Sequence, residues 1–236
     1  GLWHGTFRNF VALDAAYENV TAQDTEGEFQ LSLPVTRIVY DLKENESGEW
    51  SGTVNFAMEN IAVTAEGAEV IRIDAIESVS ELMEISPEAI ADYQEKIAAM
   101  TENYSEAENP EEISAAHAAG FYNTVTDFFT NAWDGFTSQL VIRGLKVMPG
   151  PDGDEKFERM SLDTISYGFD MTGFKEDSVQ VAVRLGYSGL AVEPETPEYR
   201  EIVPEEINFN LVMKDIPFTK LAGLGKETLE TSLKSP

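Results

Sequence analysis

The sequence predicts an α+β fold: a long, curved antiparallel β-meander forming a half-barrel, with an inserted helical hairpin packed on its concave face. Three observations predict it. Both ends of the chain alternate apolar and polar residues with period two, turn residues punctuate the alternation, and the middle switches to a helical period.

The alternation is plain in Phe29-Gln30-Leu31-Ser32-Leu33, Val54-Asn55-Phe56-Ala57-Met58, Val179-Gln180-Val181-Ala182-Val183 and Ile207-Asn208-Phe209-Asn210-Leu211. Each reads as a strand with one apolar and one polar face. Turns follow from Glu44-Asn45-Glu46-Ser47-Gly48, Pro149-Gly150-Pro151-Asp152-Gly153-Asp154 and Glu193-Pro194-Glu195-Thr196-Pro197, because Gly, Pro, Asn and Asp supply the dihedrals that strands refuse. Ser86-Pro87 provides an N-cap and a first-turn proline, after which Ile90, Tyr93, Ile97, Met100 and Tyr104 mark one apolar stripe. Asn109-Pro110-Glu111-Glu112 starts a second helix with the stripe Ile113, His117, Phe121, Val125, Phe128 and Ala132. A last helix is predicted after Pro217, with Phe218, Leu221 and Leu224 on one side and Gly225 ending it. The chain therefore reads as a single domain over 1–236: a first β half over 1–85, a helical hairpin over 86–134, and a second β half with a C-terminal helix over 135–236.

A short pattern recurs. Glu18-Asn19-Val20-Thr21-Ala22, Glu59-Asn60-Ile61-Ala62-Val63, Arg143-Gly144-Leu145-Lys146-Val147 and Ser188-Gly189-Leu190-Ala191-Val192 share a polar residue and then Asn or Gly before an aliphatic one. Each reads as the end of a strand before a turn. Ile71-Arg72-Ile73-Asp74-Ala75-Ile76 and Met160-Ser161-Leu162-Asp163-Thr164-Ile165 follow the second and third copies, so the β halves read as related strand–turn–strand units.

With the closing Ile207-Asn208-Phe209-Asn210-Leu211-Val212-Met213-Lys214-Asp215-Ile216-Pro217 passage and its small-residue helix, this pattern resembles exported proteobacterial envelope families of unknown function. The YdgA type and its alphaproteobacterial counterparts are meant, similar in style to the AsmA group. The resemblance covers 50–85 and 138–233. It implies a periplasmic address, a long curved sheet and a role in envelope or lipid homeostasis, and it brings no catalytic residues.

Composition bounds the function classes. Forty-three acidic against 16 basic residues give a net charge of −27, a field that repels nucleic-acid phosphate and anionic lipid headgroups. Nucleic acid is thus excluded as a partner, while the acidity suits a salty habitat or a basic protein partner. The chain has no cysteine, so disulfides, iron–sulfur clusters and thiolate zinc sites are excluded. No window has the roughly 18 uncharged apolar residues of a membrane helix. Gly1-Leu2-Trp3-His4 is neither an initiator nor a signal peptide, and the start reads as a boundary from which an export signal or anchor has been removed.

Catalytic chemistry finds no footing. The two histidines, His4 and His117, are far apart in sequence, and His117 lies on a helical apolar stripe as a packing residue would. Gly186-Tyr187-Ser188-Gly189 lacks the spacing of a nucleophile elbow, and no glycine loop carries a phosphate-binding lysine. Asp152-Gly153-Asp154-Glu155 lacks an EF-hand framework and reads as a hairpin tip. Neither a metal nor another cofactor is expected. A hydrolase using surface carboxylates remains the remote alternative, since sequence cannot select a pair from 43 acids.

The aromatic residues point to a binding function. Phe121, Val125, Phe128 and Ala132 form one stripe of the second helix, and Tyr122, Phe129, Trp133 and Phe136 form a neighbouring one, more apolar surface than a single seam requires. The sequence predicts that Phe121, Val125, Phe128, Phe129 and Trp133, facing strand residues Ile142 and Val183, line a pocket for a lipid or other apolar small molecule. The other reading is an acidic interaction module with a fully packed core.

Overall fold

The computed structural model describes residues 12–105, 115–150, 159–193 and 204–234. Within them the chain is an open, curved antiparallel meander with helices, the α+β class that its periodicities predict. The strands are β1 (Ala12–Gln23), β2 (Phe29–Glu44), β3 (Trp50–Ala65), β4 (Ala68–Ile85), β5 (Gly135–Val147), β6 (Arg159–Thr172), β7 (Val179–Ser188), β8 (Ala191–Glu193) and β9 (Glu206–Ile216). The helices are α1 (Pro87–Ser105), α2 (Ala115–Asn131) and α3 (Phe218–Lys234). The path across the sheet is β1-β2-β3-β4-β5-β6-β7-β9, with β8 beside β6. Because β4 and β5 pair directly across the helical insertion, the two β halves form one sheet.

Register sorts the side chains into two faces. One row runs Ala15, Ile38, Phe56, Ser78, Leu140, Tyr167, Leu185, Phe209 through all eight strands of the path. Since alternate residues of a strand share a face, the neighbouring rows place Tyr40, Val54, Phe169, Val183 and Leu211, and then Met58, Ile76, Ile142, Ile165 and Ile207, on the same side. The other face is polar. It carries three arginines, each paired diagonally with a carboxylate on the next strand: Arg37 with Asp14, Arg143 with Glu77 and Arg184 with Asp170.

The recurring Asn-or-Gly pattern has a structural counterpart. Asn19, Asn60, Gly144 and Gly189 adopt φ of 55°, 55°, 62° and 68°, the left-handed region open to Gly and Asn. The strings close their strands as expected, β1 at Gln23, β3 at Ala65, β5 at Val147 and β8 at Glu193; within them Asn19, Asn60 and Gly144 interrupt the pairing, which resumes beyond. Gly189 likewise separates β7 from β8, both of which pair with β6. Asp74 and Asp163 stand opposite, so close that a Cβ on Gly144 would meet Asp74 Oδ2 at 2.1 Å and one on Gly189 would meet Asp163 Oδ2 at 2.2 Å. These residues form a crease across the strands. It also accommodates Pro34 inside β2, where a residue without N–H is tolerated because Asn19 opposite it makes no pair.

Burial concentrates at the opposite end from the crease. Leu42, Trp50 and Ile85 form a core cluster with Leu82, Ile90 and Trp133 packed against it, and Ala132, Phe174 and Val179 are buried nearby. Here the strands meet the helices. Ser86 N–H donates to Ala132 O at 2.7 Å and Asp134 N–H to Met83 O at 2.9 Å, which joins both ends of the hairpin to the sheet end. The predicted cap is present: Ser86 Oγ accepts the Ala89 N–H at 3.1 Å. The predicted start of the second helix lies outside the described residues, as do the 151–158 and 194–203 stretches and the side chain of His117.

The last helix departs from expectation. Gly225 does not end α3, which continues to Lys234. A Cβ there would lie 2.2 Å from Tyr122 Oη, so the glycine admits the α2 tyrosine to the helix surface. Leu221 and Leu224 are exposed, while Ala222 is buried and Phe218 half-buried. Asp177 supplies a cap from the β6–β7 connection, accepting the Thr219 N–H at 2.8 Å. The Thr219 hydroxyl, and then this backbone bond, hold the Asp177 carboxyl below its ordinary pKa.

Candidate functional site

The hairpin docks on the apolar face at one end, and the predicted pocket residues separate there. Phe128, Phe129 and Trp133 come together. Phe128 lies 4.4 Å from Tyr93 of α1, centroid to centroid, and Phe129 lies 5.5 Å from Phe174 and 5.9 Å from Phe218 of α3. Trp133 stacks on Phe136 at 5.3 Å, and Phe136 continues to Phe169 at 5.4 Å. The second aromatic stripe is therefore occupied by α3 and the sheet end. A third helix arriving from far along the chain is the partner that a local reading of α2 could not supply.

The other predicted residues fall away from this cluster. Phe121 is 53% exposed. Val125 is half-buried on α2. Val183 is in register with Phe169, one row beyond Phe136, whereas Ile142 lies three rows beyond it on β5. Ile142 and Val183 are both half-buried on the sheet's apolar face.

The apolar face beyond the helical end is the candidate site. Tyr167 is 40% exposed, Leu185 46%, Phe209 50% and Leu211 45%, and Phe56, Met58, Leu140 and Ile165 are half-buried. Between the crease and the row of Leu42, Gly52, Leu82 and Phe136, no position of this face in β1 to β7 or β9 bears a charge, although the chain has 43 acidic and 16 basic residues; Glu44 lies beyond that row at the end of β2. Ser78, Ser80 and Ser138 give it a small polar centre, with Ser80 Oγ donating to Ser138 Oγ at 3.0 Å.

A groove of about 580 Å³ lies on the polar face, lined by Gly168 and by Gln139, Ser166, Asn208 and Asn210. The Asp170–Arg184 pair closes its side. The sequence reading placed a cavity between sheet and helices; this groove is on the other side and its lining mixes polar side chains with Val79. Glycines within alternating strands were the available signal, since a strand interior that gives up its side chain leaves room above the backbone.

Trp133 Nε1 and Thr36 Oγ1 are buried without a hydrogen-bond partner. At the helical end Lys175 bonds Glu49 and Glu84, the latter at 3.1 Å. Burial lowers the Lys175 pKa, but the bonds and charges of the two glutamates outweigh it and leave the ammonium above its ordinary value. The bond from Lys175 in turn holds Glu49 below the usual carboxylate range. These groups tie the strand ends. Among the described residues no three His, Asp or Glu side chains converge as a metal would require, and no helix is long and apolar enough to cross a membrane.

Compared with protein-family models, curated proteins and solved structures, the chain matches none.

Proposed function

We propose that this chain is a non-catalytic binding module of the cell envelope that holds a lipid or other apolar molecule on the open apolar face of its sheet. The observation that carries the reading is the absence of charge from that face in so acidic a chain. Leaving Tyr167, Leu185, Phe209 and Leu211 in water sacrifices roughly 25 cal/mol for every Å² of apolar surface, which an apolar ligand recovers. With no basic residue on the face to hold a phosphate, a neutral or weakly polar ligand fits better than an anionic phospholipid. The periplasmic address belongs to this proposal and rests on the resemblance to exported envelope families.

Native mass spectrometry of the purified chain, followed by titration with a fluorescent fatty-acid analogue, tests the reading. Co-purified neutral lipid and saturable uptake are expected, with uptake lost in Leu185→Glu at unchanged far-ultraviolet circular dichroism. No bound lipid and no uptake would reject ligand binding. The acidic interaction module would then be the better account.

A further inference from the structure

We propose that β9 pairs with the β9 of a second copy, joining two sheets into one continuous sheet about a two-fold axis at Asn210. The proposal is independent of what the apolar face binds. β9 is an edge: β7 lies on one side of it, and on the other its backbone donors and acceptors meet no strand of the described residues. Every residue from Glu206 to Asp215 is exposed. An uncovered edge of 11 residues with Ile207, Phe209, Leu211 and Met213 on one side is a template for another strand. The opposite edge, β1, differs, because Asn19 bulges it and Asp14 and Glu18 charge it.

The occupant follows from the sequence of the strand, which is complementary to itself. Antiparallel pairing centred on Asn210 sets Ile207 against Met213 of the second copy, Phe209 against Leu211, and Asn208 against Val212, with the two Asn210 residues opposite each other. At each end Glu206 meets Lys214. Apolar residues thus face apolar residues on one side, and the charged ends attract. Moving the centre to Leu211 sets Ile207 against Asp215 and removes the Glu206–Lys214 match, so charge and apolarity together choose the register. Lys214 is available for this role, since it joins none of the salt bridges among the described residues. A two-fold axis perpendicular to the sheet keeps both apolar faces on one side, and the interface is isologous and closed.

The absence of cysteine makes the register measurable. Directly opposed residues in antiparallel strands have Cα atoms about 4.5–5.5 Å apart, within disulfide reach. Asn210→Cys should therefore form a covalent dimer under mild oxidation. Asn208→Cys should not, because its two copies would be about 13 Å apart. Both positions are exposed, and the Asn208 substitution gives up only the bond of that side chain to Glu206. Sedimentation equilibrium of the wild-type chain should show a concentration-dependent dimer. Lys214→Glu should weaken it roughly tenfold, and Glu206→Lys combined with Lys214→Glu should restore it to within about threefold, since the swapped charges attract again. A monomer at concentrations up to about 0.1 mM, equal cross-linking at 208 and 210, or no rescue by the double swap would each overturn the proposal.

Discussion

At the scale of single residues the most constrained group is Lys175, held by Glu49 and Glu84 where β3 begins and β4 ends. Glu49 is further fixed by a turn in which Asn45 Oδ1 accepts the Ser47 and Glu49 N–H groups, so the carboxylate is aimed before the lysine arrives. The folded pKa of Glu49 is depressed from an ordinary 4.5, so its contribution to stability is present above that value and is lost as pH falls through the folded pKa. The Lys175 pKa is raised from 10.5, so its contribution is present below that value and is lost as pH rises through the folded one. The pair is strongest between these limits. Lys175→Met should lower Tm by a constant amount from pH 6 to pH 9, roughly the window the two pKa directions define, and the difference should shrink below about pH 4. Melting both proteins over that range checks it; a difference that grows in acid would place the stabilising charge elsewhere.

At the scale of elements, the crease shows how one conformational demand is met repeatedly. Asn19, Asn60, Gly144 and Gly189 each take the left-handed backbone, and Asp74 and Asp163 crowd Gly144 and Gly189. Gly144→Ala should cost about 1–3 kcal/mol, from left-handed strain and displacement of Asp74. Asn60→Gly should change stability by less than about 1 kcal/mol, because glycine adopts the same φ without strain. Denaturant melts decide; an innocuous Gly144→Ala would mean that the crease relaxes easily. The same residues show what was legible beforehand. The Asn-or-Gly strings stood out because a special φ restricts residue type locally, and the Ser86 cap was readable for the same reason. Gly225 was misread because its partner, Tyr122, lies on another helix, and a packing glycine has the same letter as a terminating one. Ile142 and Val183 were placed on the correct apolar face by alternation, but alternation says nothing of how far along a strand a helix reaches. The groove was missed because it needs five strands brought side by side, each of which alone reads as having an ordinary solvent face.

At the scale of the whole molecule, charge is partitioned and not merely abundant. The apolar face is uncharged, three arginines of the polar face are each matched by a neighbouring carboxylate, and the surplus of −27 remains on the rest of the surface. Exposed ion pairs of this kind contribute about 0–1 kcal/mol each, so they do not offset the mutual repulsion of so many unpaired acids. Repulsion in the folded state acts over distances that depend on salt: the screening length falls from about 30 Å at 0.01 M to about 10 Å at 0.1 M. Short diagonal pairs such as Arg143–Glu77, at 3.1 Å, lie well inside both lengths and change little, whereas repulsion between more widely separated carboxylates is the part that salt removes. Added sodium chloride should therefore raise Tm over this range by a few degrees, and it should also strengthen association between two copies that each carry −27. Thermal melts at low protein concentration isolate the first effect and sedimentation measures the second. A Tm that falls with salt would show that the paired arginines outweigh the unpaired acids in holding the sheet.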